Sequence, residues 1–156
     1  LVTGPTGSGK TTTLYSFLDH LRQKNDNLIV SLEDPVESVL PGIRQSPINL
    51  KSGYDFVSGL RSVLRQDPDC IMIGEIRDQE TAMTALDAAY TGHLVLSSLH
   101  TDSCLSTIGR LMSFGLDPFL LVTCLKGILS QRLVPKSCSD CKGSGCKTCK
   151  GRPKPS

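Results

Sequence analysis

The sequence has no tryptophan, and tyrosine and phenylalanine together make up only 4% of it. Proteins that grip single-stranded nucleic acid stack bases on aromatic platforms, so this shortage argues against that class. Charge of one sign is equally scarce. Seventeen Lys and Arg stand against 15 Asp and Glu, a net of +2, with no basic stripe of the kind that tracks a phosphate backbone. No apolar run comes near the roughly 18 residues that span a bilayer. The chain opens Leu1-Val2-Thr3-Gly4, with no initiator Met and no basic leader. A cytosolic setting, and a first strand cut short at its start, are therefore expected. Low-complexity segments are also missing, and 156 residues with 38% hydrophobic content suffice for one compact core.

What is present alternates between two periods. Leu1-Val2 reads as the stub of a strand running into a glycine-rich loop, and Thr11 to about Gln23 as a helix. Leu28 to Leu32 is a β-branched run that ends on Glu33-Asp34-Pro35, a strand and then a turn. Residues 36–54 carry scattered Pro and Gly and predict a long loop with one extended piece. Phe56, Leu60, Val63 and Leu64 follow helical spacing until Asp67-Pro68. Cys70 to Ile73 predicts a buried strand. Asp78 caps a helix with Met83, Leu86 and Tyr90 along one face, and Leu94 to Leu96 predicts a further strand ending near His100. A helix with Leu105, Ile108, Leu111 and Met112 on one face follows. The last helix starts at Asp117-Pro118 and buries Leu121, Val122, Leu125, Ile128 and Leu129. Strands alternating with helices predict a mainly parallel sheet with helices on its faces, whose ligands bind beyond the carboxyl ends of the strands.

Gly4-Pro5-Thr6-Gly7-Ser8-Gly9-Lys10-Thr11 matches G-x-x-x-x-G-K-[ST] in full. Glycines let a backbone wrap around phosphates with its N–H groups pointing inward, and the next helix presents its N-terminus to the same anion. Lys10 is placed to reach the β- and γ-phosphates of ATP, and Thr11 to offer its hydroxyl to Mg²⁺. Such a site also needs carboxylates for metal and water. Glu33-Asp34 and Glu75 close two strands and are the candidates, with Gly74 standing where an aspartate is usual. His100 falls at a carboxyl strand end and joins them; His93 lies at the opposite end of the same strand, and His20 is read as incidental.

Seven cysteines divide into two groups. Cys70, Cys104 and Cys124 sit singly among apolar residues and read as buried small hydrophobes. Cys138-x-x-Cys141 and Cys146-x-x-Cys149 make two chelating pairs, and four thiolates suit tetrahedral Zn²⁺. Disulfides are disfavoured in cytosol, and an iron–sulfur cluster is the other alternative.

These residues, taken together, resemble a known family. The run from Gly4 through Thr11-Thr12-Thr13-Leu14-Tyr15 resembles the Walker A region of the motor ATPases of type II secretion and type IV pili. Leu32 to Glu37 resembles their Asp box, Leu64 through Asp78 their Walker B region, and Thr91 to Thr101 their His box. The four motifs come in the family's order over about residues 1–133. The Glu33 to Glu37 wording and Leu40-Pro41-Gly42 look closer to assembly or secretion motors than to retraction motors, and a competence-pilus motor is equally compatible. The resemblance implies a RecA-like P-loop core that hydrolyses ATP with Mg²⁺. Glu75 would be catalytic and Glu33 assisting, Thr12 would join the cofactor-binding loop, and Arg61, Arg65 and Arg77 would serve the nucleotide site or subunit contacts. It further implies a homo-hexamer on the cytoplasmic face of the inner membrane, held there by a platform protein of a pilus or secretion machine, with no nucleic-acid partner. A four-cysteine module after Gln131-Arg132-Leu133 also fits, although here the link between the pairs is short. The expected organisation is an ATPase core over 1–133, a zinc module over 134–151 and a disordered tail over 152–156. Two other readings stay open: a RecA-like DNA-dependent ATPase with a zinc ribbon, and a nucleotide-binding regulatory subunit without turnover, against which intact Lys10 and Glu75 argue.

Overall fold

Alternating side chains in the short apolar runs give the sheet its two buried faces. A computed structural model of the chain describes residues 1–24, 27–142 and 144–147, together with the backbone of Lys154–Pro155. In chain order the elements are β1 (Val2–Thr3), α1 (Lys10–Lys24), β2 (Ile29–Glu33), β3 (Arg44–Pro47), α2 (Phe56–Leu64), β4 (Cys70–Ile73) and α3 (Gln79–Tyr90). There follow β5 (Leu94–Leu99), α4 (Cys104–Ser113), α5 (Pro118–Cys124), β6 (Leu129–Ser130), β7 (Pro135–Lys136) and β8 (Lys154–Pro155).

Six strands form one parallel sheet in the order β3-β2-β4-β5-β1-β6. Because successive side chains point to opposite faces, Ile29, Cys70 and Met72 meet Leu14 and Leu18 of α1 on one side. Val30, Leu32, Ile71 and Ile73 meet Leu60, Val63, Ala82 and Ala85 of α2 and α3 on the other. Register aligns the strand ends: Leu32 is opposite Ile73, Ile73 opposite Ser97 and Thr3 opposite Leu99. The loops after β1, β2, β4 and β5 therefore leave from one edge, the place where ligands of such sheets bind.

Side-chain capping sets the helix starts. Asp55 and Ser103 each form a reciprocal capping box, with Ser58 and Ser106 respectively, and Asp78 accepts from the Thr81 N–H at 2.8 Å. Asp117 accepts from the N–H groups of Phe119 and Leu120, ahead of Pro118 in the first turn.

Three helical faces differ from expectation. In α3 the buried face is Thr81, Ala82, Ala85 and Ala88, while Met83 and Tyr90 are exposed. Small side chains let this helix lie close to the sheet, which larger ones would prevent. In α4 only Thr107 and Leu111 are buried, and Leu105, Ile108 and Met112 face outward. The Thr107 hydroxyl bonds to Thr101 Oγ1 at 2.6 Å and donates to Ser103 O at 2.9 Å, which turns the helix about its polar anchor. The last helix stops at Cys124, with Val122 81% exposed, because Leu129–Ser130 pairs with β1 as a strand. Leu129 N–H donates to Leu1 O and Gln131 N–H to Thr3 O, both at 2.8 Å. Sheet pairing wins over continuing the helix through Gly127. Lys154–Pro155, in the segment expected to be disordered, pairs antiparallel with β7; the rest of 152–156 lies outside the described residues.

Candidate active site

The loop between β1 and α1 is built on left-handed glycines. Gly7 and Gly9 have φ of 77° and 83°, values at which a Cβ is strained. Ser8 N–H closes the turn onto Pro5 O at 3.2 Å. α1 then starts at Lys10, so the N-terminal N–H groups of a 15-residue helix open on the strand edge. Lys10 is buried, and its Nζ donates to Gly4 O at 3.0 Å and Pro5 O at 3.1 Å. Burial lowers its pKa from the ordinary value, and the charge of Glu75 works against that shift. Thr11 Oγ1 donates to Glu37 Oε1 at 3.3 Å, so a hydroxyl and a carboxylate converge at the mouth of the loop.

Glu75 sits just past β4. A Cβ on the preceding Gly74 would stand 3.3 Å from Leu32 O, a tight contact that glycine avoids. His100 Nε2 lies 3.3 Å from Glu75 Oε2, and Arg77 hydrogen-bonds Glu75 while reaching Asp34 at 3.5 Å. Burial pushes the Glu75 carboxyl up, but the Arg77 hydrogen bond and charge, helped by His100, outweigh it, and its pKa falls below the ordinary value. The Arg77 guanidinium is raised in turn by Glu75. Glu75 is thus held as an anion.

Glu33 is 2% exposed and saturated with donors. Tyr15 O–H donates to its Oε2, while Ser31 Oγ at 2.5 Å and Gln45 Nε2 at 3.0 Å donate to Oε1. Period two explains the pair: Ser31 and Glu33 project toward α1, where Tyr15 stands.

These parts line one crevice of about 500 Å³. Thr6, Gly7, Gly9, Lys10, Thr11 and Thr12 form its floor, and Glu33, Asp34, Glu37, Glu75 and His100 its acidic wall. Gly4, Pro5 and Ser8 shape the loop from behind. Arg77 reaches the wall through Glu75 and Asp34; Arg61 instead pairs with Glu80 at 3.5 Å, and neither Arg61 nor Arg65 lines the crevice. His93 bonds Ala88 O at 3.0 Å, at the far end of β5. A larger cavity of about 770 Å³ between α3, α5 and β5 is apolar apart from His93, Cys124 and Lys126.

Cys138, Cys141 and Cys146 bring their sulfurs within 4.8 Å of one another; Cys149 lies outside the described residues. Cys138 and Cys146 Sγ are 3.8 Å apart. Two sulfurs bound at about 2.3 Å to one tetrahedral ion also stand about 3.8 Å apart. Gly145 N–H donates to Cys141 Sγ at 3.2 Å, a bond that favours thiolate, so the residues present fit zinc. Cys70 is buried and its pKa pushed up to about 12 by that burial, making it an inert core thiol, whereas Cys104 and Cys124 are half-buried.

Asp34 lines the crevice as the Glu33-Asp34 strand end suggests, whereas Glu37, Tyr15 and Gln131 lie in segments the sequence marks without showing their contacts. Tyr15 carried a signal, lying four residues after Thr11 and so on the same helix face. Gln131 belongs to the Gln131-Arg132-Leu133 segment, but its place behind the loop carried no signal, because the segment before it reads as helix.

The sequence matches the family described as "Type II/IV secretion system protein" over residues 1–154. It is 56% identical over 141 residues to the type II secretion system protein E of Pectobacterium carotovorum subsp. carotovorum, which covers 90% of this chain and 28% of that protein. Among solved structures it is similar to the pilus retraction motor PilT with bound ADP (TM-score 0.77, 42% identity, 86% of this chain and 42% of that one). It is also similar to the Legionella pneumophila ATPase DotB (TM-score 0.75, 34% identity, 86% and 40%). The chain thus spans under a third of the curated relative's length. From its loop, its sheet order and these matches, the chain belongs to the type II/IV secretion system protein family.

Proposed function

We propose that this chain is the ATP-hydrolysing core of a secretion or pilus-assembly motor. The observation that carries the reading is the single crevice in which a complete phosphate-binding loop faces an ionised Glu75. The loop N–H groups and the α1 N-terminus bind the β- and γ-phosphates, and Lys10 exchanges its two loop carbonyls for phosphate oxygens. Thr11, with Glu37 and Asp34 beside it, would hold Mg²⁺. When bound, that ion would neutralise the charge that develops on the phosphates. Glu75, kept deprotonated by Arg77 and His100, accepts a hydrogen bond from the attacking water and orients it. Buried Glu33 anchors the start of the 34–37 loop through Tyr15, Ser31 and Gln45 and so places Asp34 and Glu37. Zn²⁺ on Cys138, Cys141, Cys146 and Cys149 would fix the segment after β6.

Hydrolysis would act in a homo-hexamer at the cytoplasmic face of the inner membrane, engaged with a platform protein. The relatives' names, type II secretion system protein E and pilus retraction motor, support that setting. No helix among the described residues is long and apolar enough to cross a membrane, so attachment would run through partners. The test is Mg²⁺-dependent ATP hydrolysis by the protein joined to its native upstream sequence. Lys10→Ala and Glu75→Gln should each abolish turnover, with no response to added DNA. An assembled wild-type protein that releases no phosphate would overturn the reading.

A further inference from the structure

The loop glycines leave one thing unfixed. Glycine at φ 83° permits the Ser8–Gly9 peptide to lie either way up, and only one way presents the Gly9 N–H to a phosphate. Gln131 settles the choice. It follows β6 directly, and its amide touches the loop and α1 at two points: Nε2 donates to Ser8 O at 2.6 Å, and Oε1 accepts from Thr13 Oγ1 at 2.7 Å. A carbonyl only accepts, so the amide nitrogen must face Ser8 and the amide oxygen must face Thr13.

A trans peptide is planar, with C=O and N–H on opposite sides. Holding Ser8 O toward Gln131 therefore holds Gly9 N–H away from it. Gly9 lines the crevice and Gln131 does not, so away from Gln131 is toward the crevice. Close approach on the rear side agrees: a Cβ on Gly9 would stand 2.9 Å from Gln131 Nε2, and one on Gly4 would stand 2.3 Å from Gln131 O. We propose that Gln131 is a positioning residue that locks the phosphate-binding loop in its anion-receiving orientation from behind. The inference rests on the nucleotide-binding reading above. It assigns part of the loop's affinity to a residue more than a hundred positions away in sequence and outside the four nucleotide-site motifs.

The test compares wild type, Gln131→Met (similar length, no hydrogen bonds) and Thr13→Val (the amide kept but its second anchor removed). Binding of MgADP and of magnesium pyrophosphate, which carries the phosphates alone, is measured well below the ligand-free unfolding midpoint of each protein. Gln131→Met should weaken both ligands about tenfold, the scale of one lost hydrogen bond in a fixed geometry, and Thr13→Val should weaken both by a smaller factor. A residue that serves only stability would lower the unfolding midpoint and leave both affinities within about twofold of wild type; that result overturns the proposal. A wild type that binds neither ligand, and matches Lys10→Ala, overturns the nucleotide reading itself.

Discussion

Replacing Tyr15 with Phe removes one hydroxyl and nothing else, and the consequence is computable from the environment of Glu33. The carboxylate is 2% exposed, so no water replaces a lost donor without rearrangement. The hydrogen bond from Tyr15 to Glu33 is charge-assisted, and such bonds are worth roughly 1.5–3 kcal/mol. The second bond at that hydroxyl, from the Glu37 N–H at 3.2 Å, is exposed and exchanges for water at little cost. The expected loss is therefore about 2 kcal/mol, a fall in Tm of about 4–8 °C for a domain of this size. Urea or thermal unfolding of wild type and Tyr15→Phe measures it. The pH dependence carries a second check. Burial, then the hydrogen bond to Glu33 and its charge, raises the phenol pKa above 10.0. A group raised in the folded state contributes fully below its unfolded pKa and loses that contribution as pH climbs through the folded one. The stability difference between the two proteins should be flat across neutral pH and shrink above about 10. A Tm change under about 1 °C, or a difference that grows with alkali, would refute the argument that Tyr15 satisfies a buried anion.

Arg77→Gln takes away the hydrogen bond and charge that hold the Glu75 pKa down and leaves the burial that pushes it up. Glu75 in wild type stays ionised below its ordinary value of 4.5, so the acid limb of ATP hydrolysis should lie lower than that. In the variant the limb should move upward, and superimposable pH–rate profiles would remove Arg77 from the role of keeping Glu75 charged. For the cysteine cluster, the purified protein should carry one zinc per chain. Cys146→Ser should lower the zinc content by more than half when measured with a chelating dye, whereas zinc-free wild type would leave Cys138, Cys141 and Cys146 without their ligand.

Much of this architecture is legible in the residues because its local rules agree with one another. The run from Gly4 to Thr11 demands a strand before it and a helix after it, and both are there. Cys70 to Ile73 is a buried strand because four consecutive apolar residues end at a loop. Periodicity failed where it states that a face is apolar but not what that face meets. Leu105, Ile108, Leu111 and Met112 share a side of α4, yet of these the fold buries only Leu111, with Thr107 beside it. Val122 and Leu129 fit one helical pattern, yet an edge of β1 needed a parallel partner and drew Leu129–Ser130 out of it. A pattern within one segment cannot register a hydrogen-bonding demand made by the other end of the chain.

The same distinction separates the two layers of the site. Residues that face the crevice belong to short runs at strand ends, where spacing exposes them. Those that hold them in place arrive by tertiary routes: Tyr15 from the neighbouring helix face, Gln45 from edge strand β3, Gln131 from just past β6 at the opposite border of the described core. Each is an uncharged side chain that satisfies a backbone carbonyl or a buried carboxylate, so each adds donors without adding charge near the glycine-rich loop. A cation in place of Tyr15 or Gln45 would neutralise Glu33 and alter the field over the nearby loop, while a neutral donor fixes geometry and leaves the charge of the acidic wall intact. For that reason the supporting residues should tolerate only neutral donors, whereas the crevice residues are defined by their charge.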